Sequence, residues 1–264
     1  MCVFVHTPPR LRPTIACLPG SLLRMKNGKS WMSSNGLLGK LPLDVCTRLV
    51  PELRLVPLPV GKVLYEAKAH QDHVYFLRSG IVSLLNVLEN GDASEIAMVG
   101  NEGMVGTAVL VDSQSTPSRA VVQVAGEALA LRADVVDREF KLSGEFQFVL
   151  LRYTQALIAQ MAQTVICTRH HPIEKQLCRW LLLCLDRLEG DELNLTQEAI
   201  ATLLGVRREG ITGAAGRLQE AGLIRYSRGR ILILDRIGLE QRSCECHAVV
   251  EKEYERLLNR PIAP

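Results

Sequence analysis

The sequence predicts an α+β chain in three parts: an N-terminal antiparallel β-roll, one long helix, and a C-terminal winged helix-turn-helix. Three observations carry this. Short β-rich segments bounded by glycines recur at roughly 8–12-residue spacing in the first half. A helical period then runs without a break from Glu145 to about Arg169. Last, LTQEAIATLLGVRREGITGAAGRLQEAGLIRYSRGRILILD (195–235) sets small residues, a glycine, paired arginines and a basic hairpin at the offsets of a winged helix pair.

Residues 1–36 read as a disordered tail. The first 31 carry prolines and scattered charges with no sustained period, and they lack the uninterrupted apolar core of about 7–15 residues that a signal peptide needs. A start at Met32 would explain the same composition. Leu37 to Leu49 reads as a short amphipathic helix, with Leu38, Leu41, Val45 and Leu49 three or four apart.

The roll takes residues 37–144. Its segments KVLYEA, HVYFLRSG, IVSLLNVL, SEIAMVG, SRAVVQVAG and ALALRA are bounded by Gly61, Gly80, Gly91, Gly100 and Gly126. Glu89-Asn90-Gly91-Asp92 is a hairpin turn signal, because Asn and Gly tolerate positive φ.

Residues 145–170 form the dimerisation helix. Leu150, Tyr153, Leu157, Gln160, Thr164 and Cys167 follow coiled-coil spacing, apolar first and more polar later. An intramolecular face and a dimer seam explain this stripe equally well. His170-His171-Pro172 ends the helix, because proline disfavours helix in the residue before it, and the domain hinge is placed there. Ile173–Leu188 is a new helix and Glu189–Glu192 a loop. The winged domain takes 171–240, and 241–264 reads as a C-terminal helix.

Composition restricts the function classes. The net charge is only +3, from 31 basic and 28 acidic residues, so any nucleic-acid surface must come from local clustering. Apolar runs such as Leu181–Leu185 fall far short of the roughly 20 residues of a membrane helix. Eight cysteines at irregular spacings fit packed thiols in a reducing cytoplasm better than a disulfide framework. Cys244-Glu245-Cys246-His247 offers at most three close metal ligands, and His170 and His171 could complete a set only if the fold brought them near. Packed or exposed thiols are the default, and no metal is assigned.

Within the helix pair, Thr196 is a good N-cap and Ala201 a small residue at the crossing, while Gly205 permits the left-handed turn. A second helix runs from Arg207 to about Ala221. Leu223–Tyr226 and Ile231–Leu234 are strands joined by Ser227-Arg228-Gly229-Arg230, which adds a wing. Between Gly205 and Arg236 there are seven arginines and three acidic residues, a local excess of four positive charges. Arginine is suited to forked recognition of phosphate and of guanine edges.

This order of parts resembles the Crp/Fnr family of bacterial transcription regulators. YFLRSGIVSLL (75–85) and LTQEAIATLLGVRREGITGAAGRLQEAGLI are similar to the family's two most recognisable regions, within a likeness that covers about Leu37 to Leu239. The resemblance implies a cyclic-nucleotide-binding-like roll and a homodimer that reads double-stranded DNA through the Arg207–Gln219 helix. Arg208 and Glu209 match the family's base-reading pair. The third reading position, often arginine, is Gly213, so Thr212 is the neighbouring candidate. Arg217, Arg228 and Arg230 complete the implied DNA contacts, the two wing arginines through phosphate.

Family members that bind cyclic nucleotides carry a Gly-Glu-Leu-like step followed later by Arg and then Ser or Thr. Gly106 and Arg119 fit, but Thr107 stands where the glutamate would be, and Ala120 follows the arginine. The missing carboxylate removes a strong acceptor for the sugar, which disfavours a cyclic nucleotide cofactor. These four residues, with Thr164 of the long helix, are the candidate effector contacts. Another small effector, a partner-controlled state and constitutive dimerisation remain open. Iron–sulfur sensing is disfavoured because Cys2, Cys17 and Cys46 lie far apart.

The expectation is therefore a cytoplasmic, homodimeric, sequence-specific regulator acting on an inverted repeat, with RNA polymerase as the partner that activation would require. The alternative is an effector-binding module whose winged domain mediates protein contacts. An enzyme is not expected, since no nucleophile–base pair or phosphate-cradling glycine loop is found.

Overall fold

Glycine-punctuated strands and one uninterrupted helical period give two packed bodies joined by a stalk. The computed structural model describes residues 32–259 except 112 and 114, so the expected tail over 1–31, with Cys2 and Cys17, lies outside the described residues. Residues 32–36 are a correction to that tail: Met32 is fully buried, and Asn35 Nδ2 donates to the carbonyls of Leu77 and Gly103, each at 2.8 Å. Leu38, Leu41, Val45 and Leu49 are all buried as their spacing predicts. Pro42 divides the segment, however, into a 3-10 turn at Leu38–Lys40 and helix α1, Leu43–Leu49.

Eight strands follow: β1 (Arg54–Leu58), β2 (Val63–Tyr65), β3 (His73–Leu77), β4 (Ile81–Val87), β5 (Ala93–Val99), β6 (Met104–Val105), β7 (Arg119–Val124) and β8 (Gly126–Arg132). They make two antiparallel sheets, ordered β1-β8-β3-β6 and β2-β7-β4-β5. In β3 and β8, Phe76 sits opposite Leu129 and Val74 opposite Leu131. In the other sheet Leu84 sits opposite Ala120 and Val82 opposite Val122. These pairs join one buried core. The β4–β5 turn is the predicted one: Gly91 has φ 90°, and Asn90 Oδ1 accepts from the Asp92 amide at 3.1 Å.

Helix α2 (Ala133–Lys141) leads into the long helix α3 (Glu145–His170). The stripe Leu150, Tyr153, Leu157, Gln160 and Cys167 is buried within this chain, which decides between the two readings in favour of the intramolecular one. Tyr153 Oη donates to the Met104 carbonyl at 2.9 Å. Any Cβ at Gly103 would lie 2.5 Å from the Tyr153 ring, so only glycine permits that approach. Gln160 behaves like a short strand, accepting from the Met98 amide at 2.8 Å and donating to its carbonyl at 3.3 Å. The opposite face of α3 leaves Phe148, Leu151, Ile158, Val165 and Ile166 exposed.

The helix ends at His170 and His171 is extended (φ −106°, ψ 145°). The second body holds α4 (Ile173–Leu185), β9 (Glu192–Asn194), α5 (Gln197–Leu204), α6 (Arg208–Glu220), β10 (Ile224–Ser227), β11 (Arg230–Ile233), α7 (Arg236–Arg242) and α8 (Cys246–Leu258). The wing therefore has three strands, ordered β10-β11-β9. Part of the expected loop is a strand because Leu193 is buried and pairs with Ile231. The expected single C-terminal helix is two, and α7 spans the boundary placed at 240.

The two bodies touch along β5. Trp180 Nε1 donates to Glu95 Oε1 at 3.0 Å, and Arg187 Nε donates to Glu102 Oε1 at 2.8 Å while stacking over Tyr254. No helix among the described residues is long and apolar enough to cross a membrane.

Candidate nucleic-acid interface

The helix pair is closed by two local devices. Thr196 Oγ1 accepts from the Ala199 amide at 3.1 Å and caps α5. Gly205 ends that helix in the left-handed region (φ 65°, ψ 35°), and the Val206 amide returns to the Ala201 carbonyl at 3.0 Å. A Cβ on Gly205 would also lie 2.4 Å from Ser94 Oγ in β5.

Arg207, the predicted first residue of the second helix, is instead the extended N-cap of α6, which begins one residue later at Arg208. Ile211, Ala214, Ala215 and Leu218 bury the inner face, whereas Arg207, Arg208, Glu209, Thr212 and Gly213 are exposed. Residues 208, 209, 212 and 213 fall on one side of the helix by its periodicity. The wing tip presents Arg228 in the left-handed region (φ 50°) before Gly229 (φ 79°). A cleft of about 450 Å³ opens between the start of α5, Arg208 and the wing, lined by Thr196, Gln197, Glu198, Arg208, Tyr226, Arg228 and Gly229. Arg208 and Arg228 thus flank one opening above the capped end of α5.

Four residues that sequence reasoning missed brace this surface. Gln197 Oε1 accepts from the Thr212 hydroxyl at 2.7 Å. Tyr226 Oη donates to the Leu195 carbonyl at 2.7 Å, which pins the wing to the helix pair. Glu174 and Glu192 each hold an arginine assigned to DNA. Arg217 Nε donates to Glu174 Oε2 at 2.5 Å, and Arg230 makes a forked pair with Glu192 at 2.9 and 2.7 Å. The hydrogen bond from Arg217 holds the Glu174 carboxyl below its ordinary range. No motif marks these partners. The alternation of the short strand around Leu193 is the one signal that could have exposed Glu192.

The candidate effector residues come from the turn after β6, from strand β7 and from α3. Gly106 has φ 113° and leads into a 3-10 turn at Thr107–Val111. Arg119 is paired with Glu66, Nε to Oε2 at 3.3 Å. Ala120 is fully buried in the roll core, so its methyl serves packing. Thr164 links α3 to α4, since its hydroxyl accepts from Arg179 Nη2 at 2.9 Å and donates to the Gln160 carbonyl at 2.9 Å.

The cysteine motif also rearranges. His247 turns away to Asp186, Nε2 to Oδ2 at 2.8 Å. His171 and Cys167 take its place beside Cys244 and Cys246, while His170 stays exposed. The Cys167–Cys244 hydrogen bond holds the Cys244 thiol below its ordinary range and pushes that of Cys167 above it.

Residues 175–242 match the family model of the Crp-like helix-turn-helix domain, and residues 55–142 match that of the cyclic nucleotide-binding domain. The chain is 26% identical to the global nitrogen regulator of Synechocystis, over 65% of this chain and 80% of that protein. It is 27% identical to the CRP-like cAMP-activated global transcriptional regulator of Mycobacterium tuberculosis, over 74% of this chain and 90% of that one. Among solved structures it is similar to FixK2 from Bradyrhizobium japonicum, with TM-score 0.61 and 15% identity over 73% of this chain and 98% of that one. A Crp/Fnr-family transcriptional regulator from Thermus thermophilus matches with TM-score 0.58 and 23% identity, covering 72% of this chain and 98% of that one.

Proposed function

We propose a mode of action for this chain, which belongs to the Crp/Fnr family of transcription regulators: as a homodimer it reads an inverted-repeat DNA site through α6. The observation that carries the reading is the exposed Arg208-Glu209 turn facing Arg228 across the cleft above α5. Arg208 can donate two hydrogen bonds to guanine O6 and N7, and Glu209 can accept from cytosine N4. Arg228 reaches backbone phosphate and sets register.

The homodimer rests on the free face of α3. Phe148, Leu151, Gln155, Ile158, Ala162 and Val165 are exposed and alternate three and four apart, which is the spacing of a two-helix seam. Two copies joined there would present their α6 helices about 34 Å apart, one turn of duplex. The roll is proposed to answer a signal other than an ordinary cyclic nucleotide. Thr107 offers no carboxylate to the sugar, and Arg119 already holds Glu66.

Selection of bound duplexes from a random pool tests the reading. The expected result is an enriched inverted repeat whose half-site centres are one helical turn apart. Enrichment of no sequence, with retention insensitive to salt, would support the alternative in which the winged domain contacts protein.

A further inference from the structure

A cluster of metal-ligating side chains lies at the break between stalk and winged domain. Cys167 and His171 are one helical turn apart at the end of α3, Cys244 lies in the loop after α7, and Cys246 opens α8. The three Sγ atoms and a ring nitrogen of His171 all lie within 4.8 Å of one another. Cys167 Sγ is 3.6 Å from Cys244 Sγ, and Cys246 Sγ is 3.5 Å from His171 Nδ1. Zinc bonds of about 2.3 Å to sulfur and about 2.0–2.1 Å to nitrogen give tetrahedral edges of about 3.8 Å between sulfurs and about 3.5 Å from sulfur to nitrogen. These two spacings are close to those edges, and the remaining ones are at most 4.8 Å.

Three further features fit a built site. The cysteines are at most 5% exposed and form a small cluster of their own, outside both hydrophobic cores. Gln163 Nε2 donates to Cys246 Sγ at 3.1 Å. Glu245 Oε2 lies 3.5 Å from the other ring nitrogen of His171, the kind of outer contact that fixes a ligating imidazole.

We propose that Cys167, His171, Cys244 and Cys246 bind one zinc ion in a closed tetrahedral site. Three thiolates and an imidazole favour zinc over magnesium, calcium or manganese. Four protein ligands leave no open position, so the site is structural. It clamps the last turn of α3 to the first turn of α8, across the break at His171-Pro172. The site does not depend on the DNA-binding reading.

The full chain, purified under reducing conditions from zinc-supplemented cells, is assayed for metal content and then reloaded with cobalt. The expected result is one zinc per chain and, after reloading, the intense thiolate-to-cobalt absorption and visible bands of tetrahedral coordination. C246S removes a direct ligand and should weaken zinc binding by more than the roughly 10–100-fold that loss of an outer partner costs, whereas H170A, altering an exposed neighbour, should keep the metal. If C246S fails to fold, the wild-type stoichiometry and cobalt spectrum still decide the matter. Folded wild-type chain that takes up neither zinc nor cobalt overturns the proposal. So does an iron–sulfur chromophore in place of zinc, or a Cys167–Cys244 disulfide as the resting state.

Discussion

Arg217 faces its own domain: its Nε donates to Glu174 Oε2 at 2.5 Å, and Arg242 approaches the other carboxylate oxygen at 3.3 Å. An arginine assigned to DNA by its place in the sequence is thus held on α4. E174Q should release it toward phosphate. The expected outcome is tighter binding to all sequences and a salt slope steeper by about 0.9, the value of one added phosphate contact, read by fluorescence anisotropy across a salt series. An unchanged slope would show that Arg217 has no access to DNA. The clamp also has a pH signature. Because the Glu174 carboxyl is held low, its contribution to stability is present above the ordinary carboxylate range and is lost as pH falls through the lowered value.

Arg208 and Arg228 flank the same cleft but should fail in different ways. R208A removes a forked base contact, so it should cost about 1–3 kcal/mol on the selected site and relax preference at one base pair per half-site. R228A removes a phosphate contact, so it should weaken every sequence alike and flatten the salt dependence. Competition binding against single-base variants of the site separates the two. Equal loss on every variant for R208A would remove it from the base-reading pair.

Where the sequence was legible depends on the range of the physics. Thr196, Gly205 and Gly91 act within a few residues of themselves, and the structure uses each of them as their chemistry predicts. The α3 stripe was ambiguous because 3–4 spacing marks a buried face without saying whether the neighbour is this chain or another copy. Gln160 resolves it: its polar group is satisfied by the Met98 backbone, 62 positions away, and no local pattern encodes that partner. The partners of Arg217 and Arg230 were not legible for a related reason. An exposed arginine reads alike whether it is free or held, and the carboxylates that hold it come from α4 and β9. The cysteine motif depends on range in the same way: the fold turns His247 to Asp186 and brings His171, one of the two conditional candidates, beside Cys244 and Cys246 together with Cys167, which no spacing pointed to as a ligand.

The two faces of α3 make opposite predictions. Ile158 is about half exposed, whereas Leu157 beside it is buried in the roll core. I158D should split the dimer into folded monomers, because it puts a charge in the seam and disturbs nothing within the chain. L157A should leave the dimer intact and cost about 2–5 kcal/mol of folding stability through the cavity it leaves. Analytical ultracentrifugation and urea unfolding read the two effects separately. An I158D chain that sediments as the wild type would place the seam elsewhere.

The Trp180–Glu95 contact joins the roll to the DNA-reading body, and its energetics should depend on pH. Burial pushes the Glu95 carboxyl up, opposed by hydrogen bonds from Ser83 and Trp180 and by the nearby charges of Arg179 and Arg187. A carboxyl whose folded-state pKa is raised favours the folded state most when protonated, so the folded chain should gain stability as pH falls through the raised value and lose it as pH rises, whereas the hydrogen bond from Trp180 counts most while Glu95 is charged. W180F removes one donor to the carboxylate and leaves most of the packed area. It should therefore destabilise the chain by about 1–3 kcal/mol above that raised value. The penalty should shrink below it, where a protonated Glu95 needs that donor less. Urea unfolding followed by circular dichroism on both sides of that value tests this. A penalty that does not change with pH would mean that Trp180 matters only through the surface it buries.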